Sequence, residues 1–268
     1  MNTSDALEPP TLRSLCLAVL ADADSSRKAT SVLAIDIETL RTGSEHSLTE
    51  LPGVPGRPAR PLMVSPKEVP QRSLGNVEGR AALIHALAHI EYNAINLALD
   101  VTWRFPGLPD AFYREWANVA REEAYHFTLL REHLSKHGHQ YGDFPAHNGL
   151  WEMAEKTKGD LLARLALVPR TLEARGLDAS PLIRDKLAAV GDVAGAEILD
   201  TILREEIGHV AVGNSWYRWV CNQRGLDPIS TYARLAIRYS APKLRGPFNF
   251  EARRAAGFSE AELEALNA

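Results

Sequence analysis

The chain has 268 residues, with 30 lysines and arginines against 34 aspartates and glutamates, for a formal charge of −4 at pH 7. Apolar residues make up 45% and charged residues 24%, which excludes a disordered chain and leaves enough material for a sizeable core in one large domain or two small ones. Mild acidity argues against general nucleic-acid affinity, no stretch approaches the ~18 apolar residues of a membrane span, and two cysteines, Cys16 and Cys221, cannot build a disulfide framework. Reduced thiols and an opening MNTSDALEPP that lacks the basic and apolar regions of a signal peptide give the expectation of a cytoplasmic protein.

Residues 1–75 read as an N-terminal appendage. Thr11 is placed to cap a short helix through Leu20, and a β-branched run at Ser31–Ile37 fits either strand or loop. Residues 52–70 carry six prolines, which suits an extended strap over the surface, with a linker as the alternative. From Asn76 the pattern turns helical. Helix one is expected over Val77–Trp103, ending at the Pro106–Pro109 turn, and helix two over Asp110–His137, ending at Gly138. The short connection makes them antiparallel neighbours. A turn-rich passage with a small helix near Leu150–Lys156 follows. Helix three is expected over Asp160–Arg175, bent at Pro169 and stopped by Gly176, with a minor helix after Pro181. Helix four covers Asp192–Gln223, closing a bundle region of 76–225. A helix near Ile229–Tyr239 and an acidic terminal helix complete a C-terminal extension, 226–268. No fixed-period repeat and no βαβ alternation is visible, so the class is all-α.

The informative residues are carboxylates on faces that should be apolar. In helix one, the positions three, four and seven from Glu91 are Ile84, Leu87, Ala88, Ala94, Ile95 and Ala98. Glu123 shares its face with Trp116, Val119, Ala120, Phe127 and Leu130, and Glu206 with Leu199, Ile202, Leu203 and Val210. An unpaired carboxylate there costs several kcal/mol or takes a proton. A shared multivalent cation is the economical partner. Spacing adds to this. Glu123-Ala-Tyr-His126 and Glu206-Ile-Gly-His209 both read Glu-x-x-His, which puts the two side chains of each pair on one helix face. With 21 Glu and 9 His in the chain, about one such pair arises by chance, so the weight lies in finding two, both on apolar faces. Together with carboxylates from the other two helices they make the donor set of a dimetal centre in a four-helix bundle.

The order Glu, Glu-x-x-His, Glu, Glu-x-x-His resembles the ferritin-like di-iron carboxylate superfamily over residues 76–225. The words RAALIHALAHIEYNAINLALD, YGDFPAHNGLWEMA, PRTLEARGLD, REEIGHVAVG and GPFNFEARRAAGF are similar to a bacterial family catalogued as domain of unknown function 455, itself distantly similar to di-iron tRNA hydroxylases. The resemblance implies a ferritin-like four-helix bundle with a long crossover. It implies metal ligation by Glu91, Glu123, His126, Glu173, Glu206 and His209; for Glu173 the alternative is a salt bridge to Arg170, one turn away. It also implies that Glu122 supports His209 and Glu205 supports His126 by hydrogen bonds across helices two and four. Solvated surface acids are the alternative for both.

Other candidates carry two readings each. His85 and His89 fit a metal-binding i,i+4 pair or a hydrogen-bonded structural pair, and His147 fits a site-bordering or a loop-capping role. Tyr92 and Tyr125 adjoin ligands in sequence, yet adjacent helix positions point about 100° apart. The five tryptophans read as core. Residues 224–254 hold seven basic residues against Asp227 and Glu251, either a receiving patch for an anion, RNA or a reductase, or a solvated basic face. The tail GPFNFEARRAAGF is expected to fold over the bundle near a substrate entrance.

The expected function is that of an O₂-dependent non-haem di-iron oxidoreductase, hydroxylating an organic substrate. It needs two iron ions (mixed iron–manganese or two manganese ions being alternatives) and O₂ as co-substrate. Expected partners are a small-molecule substrate and an external electron donor, with tRNA a weaker candidate, a homodimer left open and no membrane. The rivals are a ferroxidase or rubrerythrin-like iron or peroxide handler, and a non-catalytic metal-stapled bundle.

Overall fold

The computed structural model describes residues 9–69 and 73–266; the last residue of the proline-rich stretch, 70, lies outside them. Eleven α-helices follow one another along these residues, and the backbone pairing outside helices is limited to one isolated parallel bridge between Met63 and Ala146. The protein is an all-α helical bundle.

Two long hairpins make its centre. Helix α3 (Val77–Arg104) starts at an Asn76 cap and packs along α4 (Asp110–Lys136). The second hairpin opens with α6 (Leu161–Leu167) and closes with α8 (Val193–Gln223), whose Asp192 cap accepts from the Gly195 N–H. Between them the chain departs from the expected bent helix. Residues Val168–Glu173 form a π-helical turn that runs directly into α7 (Ala174–Ala189). Gly176 does not end this helix, and the expected minor helix after Pro181 is its continuation. Pro169 has no N–H to give the α ladder, and the Thr171 hydroxyl donates to the Ala166 carbonyl at 2.8 Å. The turn also rests on α8: a Cβ on Gly213 would lie 2.5 Å from Pro169 Cβ, so only glycine lets these segments meet so closely.

The N-terminal segment shares the core with the bundle. Helix α1 (Leu12–Leu20) begins with the expected Thr11 cap, made reciprocal by Ser14. The β-branched run is neither strand nor loop throughout. It is the end of α2 (Ser25–Leu33), capped by Asp24, followed by turns. Leu12, Cys16 and Leu20 of α1 and Ala29 and Val32 of α2 join the same apolar cluster as Ile84, Phe127 and Leu199. Buried cations fasten this segment. Arg13 donates to the carbonyls of Gly43 (2.7 Å), His46 (2.6 Å) and Trp103 (2.5 Å). Lys28 donates to Gly56 (2.8 Å) and Asn96 Oδ1 (2.6 Å). The proline-rich segment is strapped down by these contacts and by backbone bonds from Val64 to Ala146 and from Ala146 to Leu62.

Helix α5 (Gly149–Lys156) sits in the crossover between the hairpins, and α9 (Pro228–Arg238) follows α8. The tail helices α10 (Phe250–Ala255) and α11 (Glu260–Ala265) pack on the α7–α8 seam, where Ala252, Ala256, Phe258 and Leu263 cover Ala174, Leu177 and Val210. Two of the seven basic residues of 224–254 are ion-paired: Arg253 with Asp178 at 2.6 Å and Arg254 with Glu260 at 2.6 Å.

Candidate metal centre

Helices α3, α4 and α8 carry the apolar-face acids to one place. Glu91, Glu123, His126 and Glu206 each offer a donor atom, and these atoms all lie within 4.8 Å of one another. All four residues are buried, none more than 8% exposed. His126 Nδ1 stands 3.3 Å from Glu91 Oε2 and 3.6 Å from Glu123 Oε2. His209 Nδ1 stands 2.9 Å from Glu123 Oε1 and 3.6 Å from Glu206 Oε1, so Glu123 lies between the two histidines. The Nδ1 atoms face inward because the outer nitrogens are taken. His126 Nε2 is 2.7 Å from Glu205 Oε2, and His209 Nε2 is 2.7 Å from Glu122 Oε2. The two acids thus cross between α4 and α8, each fixing the ring on the opposite helix.

Glu173 enters from the π-helical turn. Its donor atom falls outside the tight group of four, but its Oε2 is enclosed and without a hydrogen-bond partner. Arg170 is not its partner. The guanidinium pairs with Glu262, donates to Asn214 Oδ1 at 2.5 Å, and lies over the Tyr217 ring.

Electrostatics reports the crowding. Burial and the charge of Glu123 push the Glu91 carboxyl up to about 7. Burial, with Glu123 and Glu206, raises the Glu173 carboxyl well above the carboxylate range. Burial disfavours a charged His126, yet hydrogen bonding to Glu123 and Glu91 outweighs it and lifts the ring to about 11. His209 is likewise raised well above its usual value, burial being outweighed by Glu123, Glu122 and Glu206. The protein groups alone leave Glu123 Oε2, Glu173 Oε2 and His209 Nδ1 buried without a hydrogen-bond partner. Such lone pairs, converging in a dry interior, are what divalent cations satisfy. Four carboxylates with two neutral imidazoles carry the charge that two dications balance. The residues therefore fit a metal centre.

The remaining candidates find other employment. His85 Nε2 accepts from the Gly142 N–H at 2.9 Å, and His89 contacts Tyr141 Oη (2.8 Å) and the His147 carbonyl (3.1 Å). Burial holds both rings at about 4. Each ring is thus engaged through its own hydrogen bonds to the 141–147 segment. His147 Nδ1 accepts from the Gly149 N–H at 3.2 Å, a loop cap for α5. The Tyr92 hydroxyl donates to the Gly56 carbonyl and Tyr125 is exposed, so neither reaches the centre. Trp116 is buried core. It also lines, with Leu97, Val101 and Pro169, a small apolar pocket that reaches Glu173, a contact no spacing along one helix reveals.

Residues 20–264 match the family described as protein of unknown function (DUF455). The chain belongs to that family. An uncharacterized protein of Haemophilus influenzae (strain ATCC 51907 / DSM 11121 / KW20 / Rd) is 51% identical over 214 residues, covering 77% of this chain and 74% of its own length. No solved structure matches the chain. Among the described residues no helix of this DUF455 chain is long and apolar enough to cross a membrane.

Proposed function

We propose that this chain is a ferritin-like, non-haem di-iron oxidoreductase that uses O₂ to oxidise, by hydroxylation, an organic substrate. One observation carries the reading: two Glu-x-x-His pairs meet between α4 and α8, with Glu91 of α3 in reach and each outer histidine nitrogen held by an acid. Glu91, Glu123, His126, Glu173, Glu206 and His209 would hold the metal. Two ferrous ions so held supply the electrons for O₂ reduction. The chain's own part is threefold. Carboxylates would balance the metal's charge, and Glu123, set between His126 and His209, would help to hold it beside both rings. Glu122 and Glu205 hold the imidazole rings with Nδ1 inward and accept the Nε2 protons. Apolar walls at Leu97, Val101 and Trp116 keep water from the Glu173 side.

An organic substrate is favoured over iron as cargo by a cavity of about 500 Å³ between α9 and the tail, lined by Tyr232, Ile237, Leu244 and Phe258. Its two guanidiniums, Arg170 and Arg253, are already paired with Glu262 and Asp178, so its free lining is mainly apolar. Arg170, which lines this cavity, lies three residues before Glu173 on the same π-helical turn.

The test is metal content and turnover of protein made in iron-supplemented cells. About two iron ions per chain are expected, falling sharply in His126→Ala and His209→Ala. Two manganese ions, or one of each, would keep the site and change the metal. Reduced protein should consume O₂ once per site and stop. Full metal occupancy in both variants would place the metal elsewhere, and repeated ferrous oxidation with mineral growth would make the chain a ferroxidase.

A further inference from the structure

A second cluster of donors lies at the far end of α4. His133 and His137 are four residues apart and so share one face of the helix, and both meet Asp192, the cap of α8. His133 Nε2 is 2.9 Å from Asp192 Oδ1 and 3.1 Å from Oδ2. His137 Nε2 is 3.3 Å from His133 Nε2 and 3.6 Å from Asp192 Oδ2. One donor atom from each residue lies within 4.8 Å of the other two. Ten residues of α4 separate His133 from Glu123, about 15 Å of helix, so the group is no part of the bundle centre.

Hydrogen bonding alone serves these groups poorly. If His133 Nε2 gives its proton to Asp192, His133 Nδ1 is left a buried acceptor, and it has no partner. His137 Nε2 then faces another ring nitrogen, with the carboxylate oxygen beyond hydrogen-bonding distance. A metal ion resolves the clash among the inward-facing atoms, because His133 Nε2, His137 Nε2 and an Asp192 oxygen each become a lone-pair donor to one centre, whereas His133 Nδ1 stays without a partner in either case. The separations suit it. Tetrahedral zinc with bonds of about 2.0–2.1 Å spaces its ligand atoms about 3.3 Å apart, against the observed range of 2.9 to 3.6 Å.

We propose that His133, His137 and Asp192 form a second, mononuclear site for a zinc-like divalent cation. Two neutral imidazoles and one carboxylate are a borderline donor set that suits zinc among the abundant divalent ions. Water completes the coordination, since His137 is partly open to solvent while His133 and Asp192 are buried. The ion ties the end of α4 to the start of α8, the two helices that carry the Glu-x-x-His pairs. The site does not depend on what the bundle centre does.

The test uses the full chain as purified, with its metal content measured first. Zinc chloride is added in competition with a chromophoric chelator, for the native protein, His137→Ala, His137→Gln and Glu206→Gln. One zinc per chain beyond the ions already held is expected. It should bind at least 100-fold more weakly in both His137 variants and persist in Glu206→Gln. Cobalt(II) in the same site should show the intense visible absorption of a four-coordinate ion, absent from His137→Ala. Circular dichroism checks that the variants fold; His137→Gln keeps bulk and polarity should the alanine variant fail. No additional zinc in the native protein, or additional zinc that both His137 variants retain, would overturn the proposal. Loss of zinc only in Glu206→Gln would assign it to the bundle centre instead, and also overturn it.

Discussion

The acids behind the two histidines give the sharpest test of the centre. Glu205 Oε2 and Glu122 Oε2 each lie 2.7 Å from an outer imidazole nitrogen, but their side chains are unequally enclosed, 26% exposed for Glu205 and 45% for Glu122. Glu→Gln keeps the shape and removes the charge that strengthens the ring as a donor. Loss of such a partner typically weakens metal binding 10–100-fold, about 1.4–2.7 kcal/mol. Water screens the more exposed pair more strongly. Glu205→Gln is therefore expected near the upper end of that range and Glu122→Gln near the lower. The assay is anaerobic ferrous-ion titration against a chromophoric chelator at pH 7, with exposed Glu152→Gln on α5 as the unchanged control. Metal affinities within twofold of native for both variants would refute the reasoning, because the acids would then be surface residues that merely lie close.

Other expectations follow from the surroundings of the site. Arg164, fully enclosed, pairs with buried Asp100 and donates to the Ala154 carbonyl at 2.6 Å and Thr157 Oγ1 at 3.0 Å, so Arg164→Met should cost about 3–5 kcal/mol in urea unfolding; a cost below 1 kcal/mol would contradict this. Gly213→Ala drives a Cβ against Pro169 and should cost about 1–3 kcal/mol while weakening metal binding through the displaced Glu173, with no ligand altered; unchanged melting and metal affinity would contradict it. Burial pushes Lys28 down to about 7. The unfolded chain holds that proton up to the ordinary lysine value, so between these limits it binds more protons and stability rises with pH, by at most about 1.4 kcal/mol per unit. Lys28→Met should remove that slope, measured as melting temperature from pH 7 to pH 10; equal slopes in the two proteins would place the ammonium in a solvated setting.

Much of the centre was legible because helical periodicity is local. Glu91, Glu123 and Glu206 stand out against apolar neighbours three and four positions away, and a Glu-x-x-His pair shares a helix face whatever the rest of the molecule does. The helix limits around Asn76, Asp110 and Asp192 follow equally from caps and turns, and the structure keeps them within a residue or two. Local pattern thus settles the all-α class and singles out the candidate donors. Tertiary structure decided the rest. The π-helical turn that carries Glu173 depends on Pro169 meeting Gly213 of another helix, 44 positions along the chain, and no window along either segment contains that contact. Arg170 belongs to Glu262 rather than to Glu173, because the tail folds back on the α7–α8 seam. His133 and His137 show their spacing in the sequence, but Asp192 joins them only when the start of α8 is brought against the end of α4. Such pairings rest on distances between chain segments, and those are set only when the apolar faces have packed.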